Sequence, residues 1–329
     1  MENKRILMLS PSFFGYHKYI ADAIRERGCE VDLYDERLDN GFVAKVCLRY
    51  NVKAYRPVVR RYFEEIIRAN KHKVYDYILV VKGEGVNEEV IGLFREAYPN
   101  AKFILYLWDS VSNIPDCEKR MKMYDRVLTF DRMDARKYNI VFLPLFFGKS
   151  YQKLVQRSDL THNLCFIGTI HSDRQKIIGM LEADPAVTTG EKDFFCYGYL
   201  QGWFMYWYFF LRRGEFRKKR PKDFQYTQMP ADEVAEHMAR SVAILDIEHP
   251  KQTGLTMRTI ETIGMGKKMV TTNLDIANYD FYNSNNILII DRNNPKIEPT
   301  FFQTPYEPLP EELYKKYSIN GWIDAVFSV

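Results

Sequence analysis

Two features of the sequence predict an α/β protein with two Rossmann-like domains in tandem. Continuous apolar strands, glycine-containing turns and helices follow one another from residue 5, and the same order begins again at residue 163. The length points the same way, because 329 residues exceed what one hydrophobic core usually supports. The apolar fraction of 46% and the charged fraction of 27% are those of an ordinary soluble globular protein.

The first domain is predicted to span residues 1–150. Its opening RILMLS contains a continuous apolar run, as in a strand buried on both faces, and YIADAIRERG has helical spacing closed by Gly28. CEVDLYDE returns to a strand and completes a βαβ unit. Further elements are predicted as strands at 75–85, 101–110, 125–131 and 139–147 and as a helix at 87–99.

The second domain is predicted to span residues 151–310, after a polar linker at 147–163. Its first segment, NLCFIGTIHSDRQKIIGML, repeats the order of buried strand, glycine turn and helix. An aromatic and basic insertion is predicted at 195–224. After it, helices are predicted at 229–241 and 255–266, and strands at 241–247, 267–272 and 286–291. The tail at 311–329 is predicted to be helical and to pack back toward the first domain.

Cysteine usage and the first residues indicate a cytoplasmic protein. The five cysteines are odd in number and scattered without a CxxC pair, which disfavours disulfides and metal sites. MENKRILMLS has only a short apolar run, so no secretion signal is expected. The net charge is only +4, but basic residues dominate 212–222, which indicates a local surface for anions rather than a nucleic-acid-binding protein.

Three strand ends in the second domain carry groups suited to an anionic ligand. The first is GTIHSDR, where Gly168 lets the backbone approach a ligand and Arg174 can pair with phosphate. The second is DIEHPKQTG (246–254), and the third leads into the next helix. The helix that begins near Leu255 offers its free N–H groups, with Arg258 on its first turn and Glu261 placed to accept hydrogen bonds from a ribose. This pattern describes a nucleoside-diphosphate site. The alternative is an ordinary exposed pair of charges three residues apart on a Rossmann-like helix.

A family resemblance favours the ligand site. HPKQTGLTMRTIETIGMGKKMVTTN (249–273) resembles the donor-site segment of GT-B fold glycosyltransferases, most closely the bacterial capsular and lipopolysaccharide-biosynthesis enzymes of the CgeB-like group. SPSFFGYHKYI, YLWDSV, FIGTIHSDR and NYDFYNSNNILIIDR also resemble that group, so the likeness runs over nearly the whole chain.

The resemblance implies an acceptor-side first domain and a second domain that binds a nucleotide-sugar. It implies that Glu261 holds the donor ribose. The residues that it places along the diphosphate are Gly254, Leu255, Thr256 and Arg258. Many retaining relatives have a glutamate eight residues before the ribose-binding one, whereas this sequence has Thr253, so retaining and inverting stereochemistry both stay open.

The chemistry of sugar transfer points to further residues. Arg258, Arg174 and the helix dipole can stabilise the leaving diphosphate without a metal, and no DxD string stands at a strand end, so neither metal nor cofactor is expected. An inverting reaction needs a base, for which Asp109 is the first candidate and His17, in the loop after the first strand, the second. Asp109 can instead cap a turn, and His17 can be a plain loop residue.

Other polar residues receive weaker assignments. His249 stands near the donor. For Lys82 and Glu84, positioning or turn chemistry is favoured over catalysis. Two other functions are considered: a nucleotide- or glycan-binding protein without catalysis, and a nicotinamide-dependent oxidoreductase, which the lack of GxGxxG after either opening strand disfavours.

The run from Phe195 to Leu211 is dense in aromatic residues and precedes the basic cluster. Its length and its tyrosines, Gln201 and Gly202 disfavour a transmembrane helix, whereas tryptophan, tyrosine and adjacent cations suit contact with an anionic membrane surface. The alternative is a core element whose end is basic. The residues predicted to contact the membrane are Trp203, Trp207, Arg212, Arg213, Arg217, Lys218, Lys219 and Arg220.

Overall fold

The computed structural model describes residues 2–12, 15–38, 52–152, 159–188, 192–250 and 254–328. The chain divides into two compact units. The first unit comprises Met1–Pro144 with Ile319–Val329, and the second comprises Leu145–Ser318. The division lies at residues 144/145 and 318/319, close to the boundaries that the sequence analysis places at 150/151 and 310/311.

The first unit contains a parallel sheet in the order β2-β1-β3-β4-β5-β6. Its strands are β1 Arg5–Leu9, β2 Glu30–Tyr34, β3 Tyr77–Val81, β4 Lys102–Leu107, β5 Arg126–Thr129 and β6 Val141–Phe142. The middle strands are buried on both faces, which is why their sequences are apolar without alternation.

The helices described in the first unit are α1 Tyr16–Arg25, α2 Arg56–Asn70, α3 Glu88–Ala97, α4 Cys117–Met121 and α5 Arg132–Tyr138. Helix α1 begins three residues earlier than expected, because Gly15 adopts the left-handed φ of 78° that starts it. The expectation that His17 lies in a loop is therefore wrong: it lies in the first turn of α1.

The last helix, which we label α13 in chain order (Ile319–Val326), belongs to the first unit. Trp322 packs edge-on against Tyr106 of β4 with ring centroids 4.8 Å apart, and Phe327 packs against Tyr77 of β3 at 5.0 Å. Arg126 donates a 3.0 Å hydrogen bond to the carbonyl oxygen of Ala325. The helix thus completes the apolar cover of the first sheet.

The second unit contains a parallel sheet in the order β11-β10-β9-β7-β8. Its strands are β7 His162–Thr169, β8 Asp193–Tyr199, β9 Ser241–Asp246, β10 Lys268–Thr271 and β11 Ile287–Ile289. The helices described here are α6 Arg174–Leu181, α7 Pro185–Thr188, α8 Trp203–Arg212, α9 Ala231–Ala239, α10 Met257–Met265, α11 Thr300–Gln303 and α12 Glu311–Lys316. The predicted α/β fold class with two Rossmann-like sheets is confirmed.

The aromatic run does not form one element. Residues 195–199 end the edge strand β8, and the rest forms α8, whose Tyr206 and Phe209 are buried against Phe216 and Phe224. No helix in the described ranges has both the length and the apolar character needed to cross a membrane.

Candidate functional site

The candidate ligand site of the second unit lies where β7 and β9, which are neighbours in the sheet, reach their carboxyl ends. The turn after β7 leads into α6, and the segment after β9 leads toward α10. Open parallel sheets bind ligands at this edge, because helix N-termini and loop side chains converge there. Most of the side chains predicted to bind a donor come together at this edge.

Arg174 opens α6 and is 8% exposed. Its Nε donates to the carbonyl oxygen of Ile247 at 2.8 Å, and its Nη1 donates to that of Thr169 at 2.9 Å. Burial, followed by the charge of Arg258, lowers its pKa to about 10, so it stays protonated at neutral pH. Arg174 therefore links the ends of β7 and β9 and brings a positive charge to the site.

Arg258 lies in the first turn of α10, as predicted from the sequence. Its Nη2 donates to the carbonyl oxygen of Ile167, and its Nη1 lies 3.9 Å from Oδ1 of Asp246. A Cβ at Gly168 would stand only 2.9 Å from Nη2 of Arg258. Gly168 thus leaves room for this guanidinium, which is a reason for glycine that the sequence alone did not indicate.

Asp246 ends β9, is fully buried and binds the start of α10. Its Oδ2 accepts hydrogen bonds from the hydroxyls of Thr256, at 2.8 Å, and Thr259. Thr256 is the N-cap of α10, and its hydroxyl oxygen also accepts the N–H of Thr259 at 3.2 Å. Sequence reasoning singled out the strand end that begins at Asp246 but gave this carboxylate no role, although a carboxylate that ends the buried run SVAIL is a detectable signal.

Glu261 is 6% exposed and lies one turn into α10. Burial raises the pKa of the Tyr151 phenol, the charge of Glu261 raises it further and that of Arg258 opposes the rise, so the three side chains interact. Gly254 and Leu255, just before the helix, are buried. The departure from the family pattern at Thr253 lies outside the described residues.

Two histidines flank the same edge. The rings of His171 and His249 lie 5.7 Å apart. Burial, followed by the charges of Arg174 and His249, lowers the pKa of His171 to about 4, so its imidazole is neutral at pH 7. The site is consequently charged by arginines, with a neutral ring beside them.

Arg292, which follows β11, lies at the same edge of the sheet. Its Nη1 contacts both carboxylate oxygens of Asp173 at 2.9 and 2.8 Å, and its Nη2 donates to the carbonyl oxygen and the carboxylate of Glu248. Glu248 also accepts a hydrogen bond from Thr272. Sequence reasoning missed this network, because Arg292 is distant in the chain from both of its partners.

The candidate bases lie in the first unit. Asp109, two residues beyond β4, accepts hydrogen bonds from the N–H of Ser110 at 3.0 Å and from Nδ2 of Asn113 at 2.7 Å. Lys82, just beyond β3, places its Nζ 3.8 Å from Oδ2 of Asp109 and 3.2 Å from Oε2 of Glu84. Asp109 thus has one carboxylate oxygen bound by neutral donors and the other near a cation.

His17 lies on the neighbouring start of α1. The rings of Tyr16 and Trp108, which precede His17 and Asp109 in the chain, are 5.7 Å apart. Burial lowers the pKa of His17, which favours the neutral, proton-accepting form. Its Nδ1 has no hydrogen-bond partner among the residues that the structure describes.

The predicted membrane-contact residues are split between exposed and bound side chains. Trp203 is 69% exposed and Trp207 is 47% exposed. Arg212, Arg217, Lys218 and Arg220 are also exposed. Arg213 is half-buried over the ring of Phe209, and Lys219 pairs with Glu182 at 2.6 Å.

Metal-binding side chains do not form a cluster of three or more in the part of the chain that the structure describes.

Comparison with known proteins gives the fold its name. No protein-family model matches the sequence, and no curated protein matches it either. Solved structures do match over nearly the whole chain. The apo structure of OtsA has a TM-score of 0.67 at 9% identity, covering 99% of this chain and 100% of that one. The α,α-trehalose 6-phosphate synthase from Burkholderia multivorans has a TM-score of 0.60 at 11% identity, with coverage of 99% and 95%.

A third match has a different activity in its name. The UDP-GlcNAc 2-epimerase from Neisseria meningitidis, bound to UDP-GlcNAc, has a TM-score of 0.50 at 9% identity and covers 98% of each chain. This chain has the GT-B fold. At such identities the likeness establishes the fold and leaves the activity to be argued from the site.

Within this GT-B chain, the predicted donor-binding residues gather at the carboxyl ends of β7 and β9 and at the start of α10. The predicted bases gather separately, at the carboxyl ends of the strands of the first unit. The roles of the individual residues remain predictions.

Proposed function

We propose that the protein is a glycosyltransferase that moves a sugar from a nucleoside-diphosphate-sugar to a glycan or lipid-linked acceptor in the synthesis of bacterial surface polysaccharide. One observation carries the proposal: in a GT-B chain, the start of α10 brings Arg258 and Glu261 to the edge of the sheet where β7 and β9 end. Cations and a helix N-terminus suit a diphosphate, and a carboxylate one turn along suits a ribose.

The donor is proposed to lie along the start of α10. The partial positive charge of the helix N-terminus and the guanidinium of Arg258 hold the diphosphate, with Gly254, Leu255 and Thr256 beside it. Glu261 accepts hydrogen bonds from the ribose hydroxyls. Arg174 adds its positive charge from the ends of β7 and β9, and His249 lies beside the sugar of the donor.

Departure of the nucleoside diphosphate is the step that these groups assist. The bond between the anomeric carbon and the diphosphate oxygen breaks, and its electrons leave with the diphosphate. Fixed positive groups aimed at that oxygen stabilise the charge as it develops, without reorganisation of the protein. We infer that the arginines and the helix dipole supply this charge without a metal.

The acceptor hydroxyl forms the new bond to the anomeric carbon and gives up its proton. For an inverting reaction we assign this proton to Asp109, with His17 as the second choice. Both groups are partly exposed, and burial favours the neutral, proton-accepting form of His17 by lowering its pKa.

The first experiment tests donor binding. Thermal shift with UDP, GDP, ADP, CDP and dTDP and their sugars is expected to show one nucleotide family that raises Tm, because a ligand that binds only the native state stabilises it. Glu261→Gln and Arg258→Gln are expected to weaken that binding at least tenfold, as loss of a charged hydrogen bond costs about 1.5–3 kcal/mol. Glu236→Gln, in an exposed pair with Arg240 on α9, is the matched control.

The products then distinguish the activities. Sugar transferred to an acceptor supports the proposal. A donor converted only to its epimer would assign the activity named for the Neisseria meningitidis structure instead. Binding without turnover on a panel of glycan and lipid-linked acceptors would support the non-catalytic alternative, and no shift with any nucleotide would contradict the donor site itself.

The lipid-linked acceptor is supported by the outer surface of α8. Its exposed apolar residues are Trp203, Phe204, Trp207, Tyr208 and Leu211. Their spacing of four and eight residues places them on one face of the helix, opposite the buried Tyr206 and Phe209. Arg212, Arg217 and Lys218 follow directly. Such an aromatic face with adjacent cations suits the interface of an anionic membrane, and we propose that the protein binds the cytoplasmic face of one peripherally.

Vesicle co-sedimentation tests this contact. Trp203→Ser with Trp207→Ser is expected to abolish binding to vesicles of phosphatidylglycerol and phosphatidylcholine, and Arg217→Glu with Lys218→Glu to reduce it. Binding should be weak to phosphatidylcholine alone, because each cation near an anionic surface contributes about 1 kcal/mol. Leu274→Ser, at a side chain that is 74% exposed elsewhere in the second unit, is the control. Equal sedimentation of all variants would contradict the contact.

A further inference from the structure

The turn after β3 has an unusual backbone. Lys82 has a φ of 75° and Gly83 a φ of 78°. A left-handed conformation is uncommon for a residue with a side chain and persists only where the surroundings determine it. The turn matters because Lys82 lies beside Asp109, the proposed base.

Two buried charged side chains hold this turn. Oε2 of Glu36 accepts the N–H of Gly83 at 2.8 Å, and Nη1 of Arg120 donates to the carbonyl oxygens of Gly83 at 3.1 Å and Glu84 at 3.4 Å. Glu36 is 1% exposed and Arg120 5%. A Cβ at Gly85 would stand 1.9 Å from the carbonyl oxygen of Glu36, so the two segments touch along their backbones.

Glu36 is buried among charged groups of both signs. The groups whose charges act on it are Arg37, Lys82 and Glu84, and Glu36 in turn acts on the phenol of Tyr124. Burial raises the pKa of Glu36 to about 7, although Arg37 and Lys82 oppose the rise. Burial also acts on Glu84, but there Lys82 and Arg37 outweigh it and the pKa is lowered. Glu84 is therefore ionised at neutral pH, while Glu36 is half protonated.

We propose that Glu36 is a positioning residue for the transfer reaction: it holds the turn that places Lys82 beside Asp109, and its charge state sets how strongly Lys82 acts on Asp109. The inference rests on the proposed function, in which Asp109 takes the acceptor proton. Glu36 itself is buried and acts through Lys82.

The physical consequence is a change in activity near neutral pH. When Glu36 ionises, it attracts Lys82 and weakens the pairing of Lys82 with the Asp109 carboxylate. That carboxylate is then freer to take the proton of the acceptor. The rate is expected to rise about fivefold as the pH increases from 6 to 8.

A measurement on the turn itself does not depend on turnover. Lys82–Gly83 is the one Lys–Gly dipeptide in the sequence, so labelling lysine with ¹³C at the carbonyl and glycine with ¹⁵N gives a single NMR cross-peak. The Gly83 amide resonance is expected to titrate with a midpoint near pH 7 and to stop titrating in Glu36→Gln. The glutamine keeps the carbonyl oxygen that accepts the Gly83 N–H, so the fold is retained. A Gly83 resonance that does not move between pH 6 and 8 in the wild type would overturn the inference.

Kinetics provide the second test. Glu36→Gln is expected to lose the rise between pH 6 and 8, to have a kcat about fivefold below wild type at pH 8, and to keep the donor KM. The control is Glu30→Gln, at the start of β2 and six residues before Glu36, with a side chain 70% exposed, which should keep the wild-type profile. A Glu36→Gln enzyme with the wild-type profile, or with equal loss at every pH, would overturn the positioning role. Titration of Gly83 in a protein that transfers no sugar would refute the proposed function and leave the role of Glu36 on the turn intact.

Discussion

The carboxyl ends of the two sheets are built on different charged groups. In the second unit, three guanidinium groups come together at the edge, those of Arg174, Arg258 and Arg292, and carboxylates lie beside two of them. In the first unit, the edge has a single turn at which Glu84 and Asp109 lie on either side of Lys82. In the proposed function, the same arrangement of strand, turn and helix serves anion binding in one unit and proton uptake in the other.

Each edge also holds a titratable group whose pKa burial shifts toward the neutral form, and the two shifts have opposite directions. Burial raises the pKa of Glu36 to about 7 and lowers that of His171 to about 4. Both changes favour the neutral form, because a charge in a poorly solvated place is costly. A group that stays charged has an oppositely charged partner, as Glu84 has in Lys82.

The strongest test of the arginine-bearing edge removes Asp246, the carboxylate that binds the start of α10. Asp246→Ala is expected to lower the free energy of unfolding by about 3–5 kcal/mol, because Arg258 loses a nearby buried counter-charge and two threonine hydroxyls lose their acceptor. Urea denaturation measures the loss. Asp291→Ala, at an exposed aspartate just beyond β11, should cost little. Equal losses would show that Asp246 does not organise the edge.

The contrast in pKa predicts opposite pH dependences of stability. The pKa of Glu36 is higher in the folded state than its ordinary 4.5, so its destabilising effect is absent below pH 4.5 and complete above about pH 7. Glu36→Gln should then be more stable than wild type at pH 8, by up to about 3 kcal/mol, and no more stable than wild type at about pH 4. A gain of the same size at both pH values would refute the buried ionisation.

His171 should behave in the reverse way. Its folded pKa lies below the ordinary 6.5, so the folded protein loses stability as the pH falls from 6.5 to 4. His171→Gln should remove about 2 kcal/mol of that loss, since partial exposure screens the effect. Chemical denaturation at pH 7.5 and pH 5 measures it, and parallel curves for variant and wild type would contradict the neutral imidazole.

The smallest expected effect concerns the cap of α10. Thr256→Ala should cost about 1 kcal/mol, the usual value for an N-cap hydroxyl, because the N–H of Thr259 loses its acceptor. Thr256→Ser keeps the hydroxyl and is expected to restore most of the stability. If serine fails to restore it, packing of the threonine methyl explains the loss instead.

The sequence predicted most of the strands, because buried parallel strands are continuous apolar runs. It also assigned the candidate donor residues to strand ends, and the structure brings most of them to one edge of the second sheet. Sequence reasoning missed α2, although Val59, Phe63 and Ile66 follow helical spacing and are buried. It also placed the start of α1 too late, since a left-handed glycine is not visible as a helix start in the sequence.

The partners of the site arginines were beyond sequence reasoning. Arg174 was expected to face a phosphate, and the structure binds two of its N–H groups to backbone carbonyls. Arg292 joins Asp173 and Glu248 across many intervening residues. Such pairs depend on distances set by the packed sheet, and a single sequence contains no measure of those distances.

The chain has four tryptophans, and two of them, Trp203 and Trp207, lie on the exposed face of α8, whereas Trp322 is 1% exposed. Indole emission is sensitive to the polarity around the ring. The helix that we propose to touch the membrane therefore contains its own optical probe, and a blue shift on adding vesicles would report the depth to which that face enters the lipid without any label.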